Sequence, residues 1–204
     1  MADRVFLASR NAGKIEEMRR LLGVFLRDVV VLGMDEVPEY DEPVEDQPTF
    51  EGNALLKARA GVEATGLPSL ADDSGLCVDA LNQMPGVLSA RWSGLPRSDE
   101  RNNLLLLDQL ADVPDGRRGG EFRCVVALCH PSGAETLSEG VMRGRVIREL
   151  RGSGGFGYDV LFVPQEQEGD LTSAELAPDA KDRISHRGKA LRAITPTVVD
   201  LLRS

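Results

Sequence analysis

The chain of 204 residues lacks the marks of an exported, membrane-bound or polyanion-binding protein. It has three cysteines, Cys77, Cys124 and Cys129. An odd number set in apolar runs excludes a disulfide framework and reads as buried reduced thiols, which points to a cytoplasmic setting. No apolar run approaches the roughly 20 residues that span a bilayer. The start, Met1-Ala2-Asp3-Arg4, lacks the apolar core of a signal peptide, so membrane and export readings drop out. Basic residues are scarce, 24 Lys and Arg against 33 Asp and Glu, for a formal net charge of -9. Broad nucleic-acid binders present a basic face, so nucleic acid is excluded as a partner and any anionic ligand must be held locally. What is present, 42% hydrophobic residues with 21 Gly and 11 Pro, suits one globular domain over residues 1–204, with a real core.

Apolar periodicity sets the expected elements. Val5 to Ala8 reads as a strand, Ser9 to Lys14 as a loop, and Ile15, Met18, Leu22 and Phe25 recur at helical spacing. Val29 to Leu32 is a second strand, followed by an acidic loop from Asp35 to Asp46. Thr49 is the expected N-cap of a helix running to about Ala64, ended by Gly66 and Pro68. Ser98 caps another helix, whose stripe of Leu104, Leu107 and Leu110 is assigned to the core and carries no hint of catalysis. Glu121 to Cys129 and Glu135 to Ile147 are expected as antiparallel strands around a His130-Pro131-Ser132-Gly133 turn, which makes the sheet mixed. Val160 to Val163 reads as a further strand, and the last helix begins near Ser185, kinked or interrupted at Pro196.

The chemistry concentrates at Asp72-Asp73-Ser74-Gly75, directly after the apolar run Leu67 to Ala71. Two adjacent carboxylates at the end of a buried strand, followed by a small hydroxyl and a glycine, suit a hard metal ion beside a phosphate. Three other segments can handle phosphate or a base. Ser9-Arg10-Asn11-Ala12-Gly13-Lys14 joins a strand to a helix, where free amides and the helix dipole favour an anion and Lys14 adds a point charge. It is no Walker loop, because Ala8 stands where the first glycine is needed and Ile15 where Ser or Thr binds magnesium. Gly152-Ser153-Gly154-Gly155-Phe156-Gly157 spells the dinucleotide pattern, yet a strand rather than a helix follows it. Its glycines still allow close backbone approach, and Phe156 and Tyr158 offer aromatic faces to a base. Ser185, as an N-cap, sets His186 and Arg187 in a first helical turn, where cations oppose the dipole and call for an anion or a ligand carbonyl nearby.

Read in order, Ser9 to Lys14, Thr49-Phe50-Glu51-Gly52-Asn53-Ala54 with Lys57-Ala58, Ala71 to Leu76, Pro85-Gly86 with Ser89-Ala90-Arg91, Gly154 to Asp159, and Ser185-His186-Arg187-Gly188-Lys189-Ala190-Leu191 resemble the noncanonical purine nucleoside triphosphate pyrophosphatases, also called inosine triphosphate pyrophosphatases. The resemblance spans nearly the whole chain, and the ordered set is far more specific than any one segment. It implies an α/β fold, an elongated mixed β-sheet flanked by helices in two lobes with the active-site cleft between them, and a homodimer. It further implies a cytoplasmic, Mg2+-dependent hydrolase that converts dITP, ITP and XTP to the monophosphate and pyrophosphate by water attack at the α-phosphorus. By matched position, Asp73 resembles the general base and a metal ligand, and Glu45 the second metal carboxylate. Ser9, Arg10, Asn11, Ala12, Gly13, Lys14, Ser74 and Lys181 resemble phosphate and sugar contacts. Phe156, Gly157, Tyr158 and Asp159, with His186 and Arg187, resemble the base pocket.

A carboxylate that ligates metal serves as a base only through its second oxygen, so Asp72 stays open as an alternative to Asp73. A donor from His186 or Arg187 would satisfy the C6 oxygen of inosine and xanthosine and leave adenine's amino group unmatched. Guanine shares that oxygen and must be rejected elsewhere. The chain departs from the family's usual pattern at Arg10, at Val160, around Val141 to Val146, and at Gln47-Pro48. The last departure leaves Glu42 and Asp46 as alternatives to Glu45. A pyrophosphatase for modified pyrimidine triphosphates, or a nucleotide-binding regulatory module without turnover, are the rival readings.

Overall fold

The computed structural model describes residues 3–25 and 29–202, so Met1 and Ala2 lie outside the described residues. Strand β1 (Asp3–Leu7) runs through the loop that starts at Ala8 into helix α1 (Ala12–Phe25), and β2 (Val29–Leu32) follows. Helix α2 (Phe50–Thr65) comes after the acidic loop, then β3 (Ser69–Val78), α3 (Asp99–Gln109), the strands β4 (Gly119–Cys129) and β5 (Glu135–Val146), the short β6 (Phe162–Pro164), α4 (Pro178–Ile184) and α5 (His186–Leu202). The strands form one six-stranded sheet in the order β2-β1-β3-β4-β5-β6. β1 pairs in parallel with β2 and β3, whereas β5 and β6 are antiparallel, so the sheet is mixed, as expected.

Local chemistry explains most boundaries. Asn11 caps α1, its carbonyl accepting from the Ile15 amide and its side chain from the Lys14 amide. Thr49 Oγ1 accepts from the Gly52 amide at the start of α2, and Gly66, at φ 66°, returns its N–H to the Val62 carbonyl at the end. Ser98 accepts from the Arg101 amide to open α3. The His130 turn closes with the His130 amide on the Ala134 carbonyl.

Four expectations are corrected. β3 does not end at the aspartates but runs on through Ser74 and Gly75 to Val78, because sheet pairing overrides the turn preference of those residues. In α3, Leu104 is 47% exposed, and Asn102, Asn103, Leu106 and Leu110 take the inner face. The expected strand over Val160 to Val163 is a 3-10 turn (Asp159–Leu161) running into β6. The final helix is not interrupted at Pro196 but continues through it, with Ile194 and Val198 buried on either side. Helix α4 had no counterpart in the sequence reading.

The chain divides into two compact units, Met1–Asp73 with Cys124–Gly140 and Arg187–Ser204, and Ser74–Arg123 with Val141–His186. In the first, alternate residues of β1 (Val5, Leu7) and β4 (Cys124, Val126, Leu128) pack with Met18 and Leu22 of α1 and with Leu191, Ile194 and Val198 of α5. The Phe25 side chain, expected in the α1 stripe, lies outside the described residues. In the second, Leu76, Leu106, Leu110, Met142 and Phe162 share a core in which the Phe122 and Phe162 rings meet edge to face at 4.8 Å. The buried Arg118 guanidinium donates to the carbonyls of Leu110, Val146 and Ile147, satisfying the end of α3. None of the three cysteines is in a disulfide and all are buried, and burial, with Glu135 beside it, pushes the Cys129 thiol up to about 11. Among the described residues, no helix is long and apolar enough to cross a membrane.

Gly75 lets β3 pass against the Gly86–Arg91 turn: a Cβ there would sit 2.2 Å from the Gly86 carbonyl oxygen and 2.5 Å from Ser89 Oγ. Backbone cannot yield as a flexible side chain does. Gly75→Ala is therefore expected to lower stability by about 1–3 kcal/mol, read from the urea midpoint at unchanged m-value.

Candidate active site

Successive residues of a strand leave it on opposite faces, so Asp72 and Asp73 enter different surroundings although they are adjacent in sequence. Asp72 is 1% exposed. Its Oδ2 meets Lys14 Nζ at 3.0 Å, Arg187 Nη2 at 3.2 Å and Nε at 3.3 Å, and the Cys124 thiol at 3.8 Å. Glu17, on the same face of α1 as Lys14 one turn on, binds Arg187 Nη1. Burial opposes the Asp72 charge, yet Lys14, Arg187 and Lys57 outweigh it and hold the carboxyl far below the ordinary carboxylate range. A carboxylate held that low is a poor proton acceptor.

Asp73 has the opposite balance. Its Oδ2 accepts from Asn53 Nδ2 at 3.0 Å and its Oδ1 lies 3.8 Å from Lys57 Nζ. Here burial prevails over Lys57, Lys14 and the Asn53 bond, and the pKa is raised. Asn53 and Lys57 are four residues apart on α2 and so share a face. Both lie inside a matched segment of the sequence in which neither has an assigned role, and Glu17 lies outside every matched segment. Their spacing from Lys14 and from each other was the signal available.

The three candidates of the acidic loop have different partners. Glu45 Oε1 binds Lys57 Nζ, bringing this carboxylate to the same ammonium that faces Asp73. Glu42 pairs with Arg10 at 3.5 Å, and Asp46 accepts from Gln47 Nε2 at 2.7 Å. Gln47 and Asn53 exchange hydrogen bonds, the Gln47 amide donating to Asn53 Oδ1 at 3.0 Å and the Asn53 amide to the Gln47 carbonyl at 3.4 Å. The segment that follows Glu45 is thereby tied to the start of α2 despite its unusual Gln47-Pro48. Arg10 Nη2 also donates to the Tyr40 carbonyl, while the Tyr40 ring packs edge-on against Phe6.

Glu45 and Asp73 thus converge on one positive charge, and all their donor atoms are hard oxygens. Burial works against the Lys57 charge, but Asp73, Asp72 and Glu45 raise its pKa and keep it protonated. Among the described residues no group of three or more His, Cys, Asp or Glu side chains forms a closed metal cage. Two carboxylates fit a magnesium ion nonetheless, because that ion keeps several waters and takes further ligands from substrate phosphate.

The glycine-rich loop belongs to the second unit. Lys181 Nζ lies 2.6 Å from Asp159 Oδ2 and 5.5 Å from the centre of the Phe156 ring. Asp159 Oδ2 also accepts from the Phe156 amide, and a Cβ on Gly155, at φ 71°, would stand 2.1 Å from it. Tyr158 does not present its ring to solvent as expected. It is 4% exposed, packed in the core with its hydroxyl donating to the Ser89 carbonyl, so the accessible ring of this loop is that of the half-buried Phe156. His186 stacks on Phe122 with centroids 4.9 Å apart. Arg187 does stand in the first turn of α5, and the anions that answer it are the chain's own Glu17 and Asp72.

Fold and centre together define a mixed α/β protein with a carboxylate and cation cluster on an interior strand. The profile of the Ham1 family matches residues 5–197, and the chain belongs to that family. It is 56% identical over 196 residues to the dITP/XTP pyrophosphatase of Cutibacterium acnes, covering 96% of each chain. It is also similar to the crystal structure of a nucleoside-triphosphatase, dITP/XTP pyrophosphatase, from Mycobacterium abscessus, at 51% identity and a TM-score of 0.76 over 95% of this chain and 99% of that one. The Staphylococcus aureus Ham1 protein gives 35% identity and a TM-score of 0.84 over 97% and 98%. The resemblance carried by the ordered segments is borne out.

Removing the Arg187 guanidinium leaves two buried carboxylates facing each other. Arg187→Met is expected to cost about 3–5 kcal/mol in urea denaturation, a loss that must be measured before any change in its kinetics is read as base recognition.

Proposed function

We propose that this chain hydrolyses dITP, ITP and XTP to the nucleoside monophosphate and pyrophosphate by attack of water at the α-phosphorus, clearing these nucleotides from the cytoplasmic pool as a homodimer. The observation that carries the reading is the unequal fate of two adjacent aspartates. Asp72 is spent on binding Lys14 and Arg187, whereas burial, with Glu45 nearby, raises the pKa of Asp73 against the pull of Lys57, which suits a general base. Relatives of high identity that bear the name dITP/XTP pyrophosphatase support it.

Asp73 takes the proton of the attacking water. Glu45 and Asp73 would hold Mg2+, which when bound neutralises the triphosphate and orients it. Lys14, at the N-terminal end of α1, and the loop Ser9 to Gly13 with Ser74 are assigned to the phosphates and sugar. Lys57 keeps Glu45 and Asp73 together, its single positive charge offsetting part of their mutual repulsion. Phe156 to Asp159, Lys181, His186 and Arg187 are assigned to the base by matched position. A donor here satisfies the C6 carbonyl of hypoxanthine and xanthine, and at that position in adenine meets an amino group, itself a donor.

Asp73→Asn keeps the acceptor for Asn53 and loses the base. It is expected to retain the fold by circular dichroism and to lower the magnesium-dependent turnover of dITP by about 10²–10⁴-fold. A variant with the wild-type rate would remove Asp73 from the mechanism.

A further inference from the structure

The loop that carries Phe156 is gripped by a helix to which the sequence gave no functional part. Asp99, the first residue of α3, accepts the Gly157 amide on Oδ2 at 2.7 Å, and Asn103, one turn on, donates Nδ2 to the Gly157 carbonyl at 2.9 Å. The four-residue spacing puts both side chains on one helix face, so one helix holds both polar backbone groups of a single glycine. That glycine stands at φ 63°, a conformation side-chain-bearing residues avoid. The loop is fixed on both flanks as well. The Phe156 amide binds Asp159 Oδ2, and the Tyr158 hydroxyl donates to the Ser89 carbonyl, which also accepts from Asn102 of α3.

Asn103 is ill suited to a purely structural role. It is 3% exposed and its Oδ1 has no hydrogen-bond partner among the described residues, while Leu106 and Leu110 fill the same inner face with apolar side chains. What the amide supplies is the bond to the Gly157 carbonyl. Turning it over would set oxygen against oxygen, so its orientation is fixed by chemistry.

We infer that Asp99 and Asn103 are positioning residues that clamp Gly157 and hold the Phe156 ring in place as a preformed platform for the purine base. The inference rests on the assignment of this loop to the base. A platform held in its bound conformation loses no loop entropy when the substrate arrives, so the clamp acts on binding rather than on the chemical step.

The test is steady-state hydrolysis of dITP with magnesium by the full chain and its Asp99→Ala, Asp99→Asn, Asn103→Leu and Phe156→Ala variants, with a urea midpoint for each. Phe156→Ala and Asp99→Ala are expected to raise KM about five-fold with kcat within about two-fold of wild type. Asn103→Leu, which fills the inner face with an apolar group, is expected to raise KM similarly while keeping its midpoint. Asp99→Asn keeps an acceptor oxygen for the Gly157 amide but loses the charge at the helix start, and it should restore the wild-type KM. An Asp99→Asn variant as impaired as Asp99→Ala, or an unchanged KM in Asp99→Ala, overturns the clamp. A raised KM in Phe156→Ala alone leaves the loop as the base site and refutes the clamp. Absence of turnover in the wild type refutes the functional reading itself and the clamp's role with it.

Discussion

The buried carboxylate of Asp72 is the constraint on which the first unit turns. A charge taken wholly out of water on an interior strand survives only with close, hydrogen-bonded partners, and they come from far along the chain: Lys14 from α1 and Arg187 from α5. Arg187 in turn needs Glu17, so the first turns of two helices are pinned to one strand by a single ionic cluster. Such a cluster contributes little net stability compared with apolar packing, but it is costly to break, and it fixes where Lys14 stands.

The pleat of the strand does the rest. Because Asp73 must face away from its neighbour, it falls among Asn53, Lys57 and Glu45, where the desolvation of its charge is not fully repaid. The groups Glu17, Asp72, Asp73 and Glu45 set four carboxylates against three cations, Lys14, Lys57 and Arg187. That surplus of negative charge favours one more cation at the exposed end of the cluster, where Glu45 is only half-buried, and suits a metal that arrives with its anionic substrate.

The legible part of the sequence was the part governed by local chemistry. Thr49, Gly66 and Ser98 marked helix ends because a cap needs only a few neighbouring residues. The hairpin and the mixed sheet followed from alternation and a turn. The errors share a different cause. Leu104 was taken for core because hydrophobicity alone sets the phase of a helix, whereas α3 turns Asn102 and Asn103 inward to bind backbone elsewhere in its unit. Tyr158 was read as an open face, although its hydroxyl finds the Ser89 carbonyl and its ring the core. Arg187 called for an anion, but the identity of that anion depended on partners 115 and 170 residues away. The choice between Asp72 and Asp73 was equally out of reach, because identical side chains in adjacent positions are told apart only by what surrounds them.

The most direct test of the account is hydrolysis of dITP and XTP in heavy-oxygen water, with magnesium and with chelator, followed by mass analysis of both products. Attack at the α-phosphorus predicts magnesium-dependent release of pyrophosphate, with the label carried by the monophosphate alone. Label in the pyrophosphate, or release of diphosphate and free phosphate, would contradict it.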